Sequence, residues 1–208
     1  MEQLFKGAVR FRQRSFEKHK ELFKKLGQGQ KPHTLFIGCS DSRVVPELIT
    51  KAMPGELFVV RNIANIVPKY RISKEYAATT AAIEFAVLSL GVENIVICGH
   101  SNCGGCSALF KSKEEMANIP NVEHWLDQAQ YVREQVEANF PDVQPEEREW
   151  ITEQLNIVEQ MKNILTYPLI AEKYQKGELK LYGWYYVIGT GEVYNYNMET
   201  EEFELIGA

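Results

Sequence analysis

The spacing of apolar positions changes from segment to segment along the chain, and each spacing predicts an element. From Leu4 to Leu26 apolar residues recur at steps of three and four (Leu4, Ala8, Phe11, His19, Leu22, Phe23, Leu26), the period of an amphipathic helix, and Gly27 ends it. The stripe of this N-terminal helical arm, residues 1–27, needs a surface to cover, either the body of the chain or a neighbouring subunit. Short runs of β-formers follow at His33–Gly38, Leu57–Arg61 and Asn94–Gly99, each bounded by turn residues. Their nearly continuous apolar character predicts strands covered on both faces. Between the second and third, Ser73–Leu90 carries Ala77, Ala78, Ala81, Ala82, Phe85, Ala86 and Leu88, an alanine-rich helix closed by Gly91. Strand, helix and strand in this order predict a parallel sheet. Residues 121–138 and 146–166 read as two further helices, kept apart by Pro141 and Pro145. Leu179–Ile188 and Glu192–Tyr196 are aromatic and alternating, joined through Gly189 and Gly191, and predict a hairpin at a sheet edge. The expected fold class is therefore α/β: a central, mainly parallel sheet flanked by helices, with a C-terminal edge hairpin and an N-terminal amphipathic helix.

Composition narrows the function. A chain of 208 residues with 45% hydrophobic content buries a sizeable core, and its length fits a single domain spanning residues 1–208. Net charge −5 with no basic run lacks the electrostatic footprint of a nucleic-acid or anionic-membrane binder, so the expected partner is a small molecule. Charges interrupt the first twenty residues, which excludes a signal-peptide apolar region there, and no later stretch reaches membrane-spanning length. The expected location is the cytoplasm. In that reducing compartment Cys39, Cys98, Cys103 and Cys106 point to metal binding or catalysis more than to disulfides.

In an open α/β sheet, ligands bind beyond the carboxyl ends of the strands. After the first strand stands Cys39-Ser40-Asp41-Ser42-Arg43, and after the third His100-Ser101-Asn102-Cys103-Gly104-Gly105-Cys106. These segments supply thiolates, an imidazole, a carboxylate and a guanidinium. Catalytic zinc takes three protein ligands and keeps its fourth position open, a requirement that Cys39, His100 and Cys103 meet.

CSDSR (39–43), RNIAN (61–65), GHSNCGG (99–105) and ILTYP (164–168) together resemble the β-class carbonic anhydrases, in the branch of plant and many bacterial enzymes. The resemblance implies Zn²⁺ on Cys39, His100 and Cys103 and reversible hydration of carbon dioxide to bicarbonate and a proton by zinc-bound hydroxide. It also implies an Asp41–Arg43 dyad beside the bound water, and assembly as a homodimer or dimer of dimers. Two thiolates cancel the charge of Zn²⁺, so such a site acidifies water less than a three-histidine site and needs help. Asp41 can accept a hydrogen bond from the nucleophile while Arg43 holds the carboxylate with paired donors. Amides donating to the sulfurs would raise the acidity of the metal, and Gly104 and Gly105 permit close backbone approach.

The same carboxylate can close onto the metal in an inactive form. Family members with that switch carry a tryptophan where this chain has Phe36, as part of a bicarbonate pocket with an arginine and a tyrosine that Arg61 and Tyr186 match here, so an enzyme open at neutral pH is expected. In the substrate pocket the resemblance places Gln30 as a donor to substrate, Phe58 as an apolar wall, Phe85 where plant relatives have tyrosine, and Gly104. It leaves open whether Gln30 and Phe58 serve the zinc of the opposite subunit. Two rival readings of Cys106 stand beside this one: a redox Cys-Gly-Gly-Cys pair with Cys103, or a fourth ligand closing a structural zinc site. Carbon disulfide and carbonyl sulfide are rival substrates, since superfamily relatives process them through a similar site. Cys98, inside an apolar strand, reads as a small buried hydrophobe.

Overall fold

The computed structural model describes residues 1–73 and 77–207. Met1–Lys31 and Pro32–Ala208 form separate compact units.

The first unit holds α1 (Glu2–Arg10), a wider π turn over Phe11–Phe16, and α2 (Lys20–Leu26). The expected single helix is therefore interrupted, and the chain leaves helical geometry at His19 (φ −114°, ψ 26°). The break accompanies an aromatic cluster, with the Phe23 ring centroid 5.7 Å from that of Phe11 and 5.3 Å from that of Phe16. Side-chain packing overrides the weak propensity for one straight helix.

In the second unit the sheet runs in the order β2-β1-β3-β4-β5-β6. Its strands are β1 (Thr34–Cys39), β2 (Leu57–Asn62), β3 (Asn94–His100), β4 (Lys180–Tyr186), β5 (Val193–Asn197) and β6 (Glu202–Leu205). The first four in that order are parallel, and β5 and β6 turn antiparallel. The predicted hairpin is thus present, but β4 belongs to the parallel sheet and β6 adds a strand the sequence pattern did not announce. Every residue of β1 is buried. One face of the sheet packs Leu35, Ile37, Ile95, Ile97 and Leu181 into the main core. The other gathers Phe36, Val96 and Cys98 with Tyr182, Trp184 and Tyr186. Burial of Cys98 supports its reading as a small hydrophobe.

Connecting helices cover the sheet. After β1 comes α3 (Pro46–Thr50); α4 (Ala78–Glu84) continues into a π turn at Phe85–Ser89, and Gly91 (φ +69°) closes it. The start of the predicted Ser73–Leu90 helix includes residues 74–76, which lie outside the described residues. Beyond β3 lie α5 (Gly104–Ala108), α6 (Lys113–Met116), α7 (Pro120–Leu126), α8 (Gln130–Asn139), α9 (Pro145–Ile164) and α10 (Pro168–Gln175). A tighter 3-10 turn at Asp127–Ala129 splits the helix expected over 121–138.

Helix α9 positions the functional end of the sheet. Ile157 and Met161 pack so close that a Cβ on Gly99 would meet Ile157 at 2.7 Å, and one on Gly183 would collide with Met161. Its polar side carries a buried amide ladder: Asn163 Nδ2 donates to Gln160 Oε1 (3.1 Å), Gln160 Nε2 to Asn156 Oδ1 (2.9 Å), and Asn156 Nδ2 to the Ala64 carbonyl (2.9 Å). Val67 N–H donates to Gln160 Oε1 (2.8 Å). The ladder pins the turn after β2, where Ala64 (φ +59°) and Asn65 (φ +46°) hold a left-handed backbone that non-glycine residues adopt only under constraint.

Candidate metal centre

Parallel pairing brings Cys39 and His100, the last residues of β1 and β3, to the same end of the sheet. The chain then bends through Asn102 (φ +54°) and places Cys103 immediately before α5. Among the described residues Cys39, His100 and Cys103 form the group suited to a metal, with their donor atoms all within 4.8 Å of one another. The two sulfurs are 4.0 Å apart, close to the edge of about 3.8 Å that a tetrahedral ion with bonds of ~2.3 Å to sulfur would span.

The donor chemistry fits a cation. His100 is fully buried and its Nδ1 lies 3.0 Å from the Ser101 carbonyl, which can only accept. Nδ1 therefore carries the proton, and Nε2, buried with no hydrogen-bond partner in the protein, presents its lone pair to the sulfurs. Left to themselves the thiols keep their protons: sharing one with Cys103, together with burial, pushes Cys39 up to about 12. Cys103 is raised chiefly by its hydrogen bond with Cys106. A divalent cation inverts that order by deprotonating a coordinating thiol. The nearby backbone of Asp41 and of Cys106 works in the opposite direction, lowering Cys39 and Cys103 respectively.

Beside the donors, Arg43 takes both oxygens of Asp41. Nε donates to Oδ1 (2.9 Å), Nη2 to Oδ2 (2.7 Å), and the Arg43 backbone N–H also to Oδ1 (2.9 Å). This guanidinium holds the Asp41 carboxyl far below the usual carboxylate range. Nη2 of Arg43 also donates to the Asn102 carbonyl (3.0 Å), which ties the β1 segment to the β3 segment. Oδ2 of Asp41 lies 4.0 Å from His100 Nε2, and the carboxylate falls outside the metal-donor group. Arg61, matched to a bicarbonate pocket in the sequence, instead donates to the Cys39 carbonyl (2.9 Å) and the Asp41 carbonyl (2.6 Å). Phe36 sets its ring edge-on to Trp184 at 6.2 Å.

The two glycines after Cys103 differ. A Cβ on Gly105 would meet Ala64 Cβ at 2.9 Å and Ile63 Cγ2 at 3.0 Å, whereas one on Gly104 meets nothing within 4 Å. Close packing against the turn after β2 therefore requires a glycine at Gly105 and not at Gly104. Cys106 is buried in α5 outside the metal-donor group, against the reading that made it a fourth ligand.

The family model described as carbonic anhydrase matches residues 34–193. The chain belongs to the β-class carbonic anhydrases. A carbonic anhydrase of Helicobacter pylori is 45% identical over 207 residues, covering 98% of this chain and 93% of that protein. The solved structure of the β-carbonic anhydrase CcaA superposes with a TM-score of 0.94 at 38% identity, over 99% of this chain and 98% of that one. A structure from Sordaria macrospora, titled as one of two tetrameric β-carbonic anhydrases, gives a TM-score of 0.78 at 30% identity over 100% of this chain and 96% of that one. As a carbonic anhydrase, the chain is an enzyme of reversible carbon dioxide hydration.

Two of the residues expected to line a substrate pocket pack together within the second unit. Phe58 and Phe85 meet with ring centroids 6.0 Å apart. In register Phe58 pairs with Leu35, four residues before the Asn62–Cys39 pair. At about 3.3 Å per residue the two positions are separated by roughly 13 Å along the strands. Gln30 lies in the Met1–Lys31 unit.

One residue of the centre escaped the sequence reading. Glu153 on α9 accepts from the Cys103 backbone N–H (2.7 Å) and the Tyr185 hydroxyl (2.8 Å), and burial pushes its carboxyl up to about 7 against those two donors. The available signal was an acid in helical phase with Ile157, Met161 and Ile164.

Proposed function

We propose that Cys39, His100 and Cys103 hold Zn²⁺, and that Asp41, kept in place by Arg43, orients the water that hydrates carbon dioxide. The observation that carries this reading is the buried, partnerless Nε2 of His100 beside two sulfurs 4.0 Å apart. Two thiolates and an imidazole form a donor set suited to zinc. When bound, the ion supplies the Lewis acidity that brings the pKa of water toward neutrality.

The chain's own residues do the rest. Ionised Asp41 is an acceptor only, so it takes a hydrogen bond from the reacting water and directs a lone pair of that water at the substrate carbon. Arg43 engages both carboxylate oxygens, so a closed arrangement, with Asp41 on the metal, first requires those bonds to break. Asp41 therefore stays back from the metal at neutral pH. Arg61 fixes the backbone on both sides of Ser40 through the Cys39 and Asp41 carbonyls.

Phe58 of a second copy of the chain, in a homodimer or dimer of dimers, walls an apolar substrate pocket beside the metal end. The distance of Phe58 from the metal end of its own strand supports that assembly. A reducing compartment such as the cytoplasm suits a site that needs two thiolates, and the four cysteines are free. No helix among the described residues is long and apolar enough to cross a membrane.

Elemental analysis joined to stopped-flow carbon dioxide hydration tests the reading. One zinc per chain, activity lost to a chelator and regained with added zinc is the expected result. Full hydration activity in metal-free protein contradicts it.

A further inference from the structure

Helix α9 carries an acid where its packing calls for an apolar residue. Ile157, Met161 and Ile164 are buried in the sheet core, and Glu153, one turn earlier on the same stripe, is 2% exposed. A carboxyl group removed from water is costly unless its oxygens find donors. Both do: Oε1 accepts from Cys103 N–H at 2.7 Å and Oε2 from Tyr185 O–H at 2.8 Å. Cys103 stands just before α5, where its amide has no partner within a helical or strand ladder, so Glu153 satisfies a buried donor as well as itself.

Three features fix the depth at which this carboxylate meets the turn. Gly99 and Gly183 leave room for Ile157 and Met161 and so set how closely α9 lies on β3 and β4. Tyr185 pairs in register with Gly99, one residue before His100, so the hydroxyl that braces Glu153 comes from the strand beside the ligand-bearing one. The turn itself passes through a left-handed Asn102, a conformation that persists only when its surroundings hold it.

We propose that Glu153 is a positioning residue of the metal centre: braced by Tyr185, its carboxylate fixes the Cys103 amide and thereby the place of the Cys103 sulfur relative to Cys39 Sγ and His100 Nε2. The proposal rests on the reading that these three side chains hold the metal. Glu153 touches neither substrate nor metal, and it acts through the backbone of a ligand. Loss of such a supporting partner typically costs about 10–100-fold in metal affinity or activity.

The test uses the full chain loaded with zinc, and in parallel with cobalt(II), in wild type, Glu153→Ala, Glu153→Gln, Tyr185→Phe and a remote core control, Ile164→Val. Zinc release to excess chromophoric chelator, the cobalt visible spectrum and the thermal transition are recorded for each. Glu153→Ala is expected to release zinc about 10–100-fold faster with an altered cobalt spectrum. Glu153→Gln keeps a carbonyl for the Cys103 amide and an NH2 for the Tyr185 oxygen, so it should restore both readouts nearly to wild type. The control should match wild type in release and spectrum whatever its thermal transition.

A folded Glu153→Ala with wild-type release and spectrum overturns the proposal, as does Glu153→Gln damaged as much as Glu153→Ala. Should Glu153→Ala fail to fold, Tyr185→Phe decides: severalfold faster release with a shifted spectrum supports the role, and wild-type behaviour overturns it. A wild-type chain that takes up no zinc defeats the metal-centre reading itself and this inference with it. Normal loading of wild type with indifferent variants defeats the inference alone.

Discussion

At the carboxyl ends of β1 and β3 the groups of the centre are held by hydrogen bonds within the same chain, whereas at the far end of the sheet Phe58 is only partly buried against the core and Phe85 is exposed. Asp41 receives three hydrogen bonds from Arg43, the Cys39 and Asp41 carbonyls are both held by Arg61, and the Cys103 amide is held by Glu153. Phe58 and Phe85 sit at the edge of the core, and Phe85 remains 48% exposed. The difference separates what must be rigid from what can be borrowed. Residues proposed to hold a metal tolerate little displacement and are over-determined by the fold, while the proposed apolar wall needs only shape.

Removing a ligand should have the largest effect. His100→Ala or Cys39→Ser is expected to lose stoichiometric metal and to drop hydration to background, as measured by elemental analysis and stopped-flow assay. Asp41→Ala separates binding from chemistry: it should keep its metal and lose activity by about 10²–10⁴-fold, the usual worth of a positioned proton acceptor.

Gly105→Ala probes the packing under the same end of the sheet. Its methyl would press on Ala64, so a loss of about 1–3 kcal/mol in denaturant unfolding is expected, with Gly104→Ala near wild type. Equal effects of the two would contradict the close-approach argument. The smallest effect belongs to the other end of the sheet. Phe58→Ala should retain metal and lose roughly tenfold in kcat/KM. Oligomers mixed from Phe58→Ala and His100→Ala chains should regain activity beyond that of either variant at the same total concentration, because an intact zinc then faces an intact Phe58. Absence of any such gain would mean that Phe58 does not serve the metal of a partner.

Much of the metal end was legible because its residues follow strands whose apolar runs mark them. The β1 and β3 runs predict strands that end within one residue of the structure's, which puts Cys39 and His100 at a common sheet end. Pro145, expected in the linker before a helix over 146–166, instead opens that helix as the first residue of α9. Other features depended on contacts distant in sequence. Nothing local to Glu153 says that Cys103, fifty residues earlier in the chain, will donate to it. Arg61 was matched to a ligand pocket by position, yet its guanidinium is spent on two backbone carbonyls, a role visible only once β2 lies beside β1. The N-terminal helix failed for another reason: a three-four spacing does not register that Phe11, Phe16 and Phe23 pack better across a break at His19. The strand β6, four residues long and mostly exposed, carries little apolar alternation to reveal it.

The account depends most on which atoms surround the metal. X-ray absorption at the zinc edge of the loaded, active protein counts them directly. It should return two sulfurs near 2.3 Å with two lighter neighbours near 2.0–2.1 Å, one an imidazole nitrogen and the other exchangeable with solvent or a small anion. A third sulfur, or a shell in which both light positions come from protein at neutral pH, would contradict it.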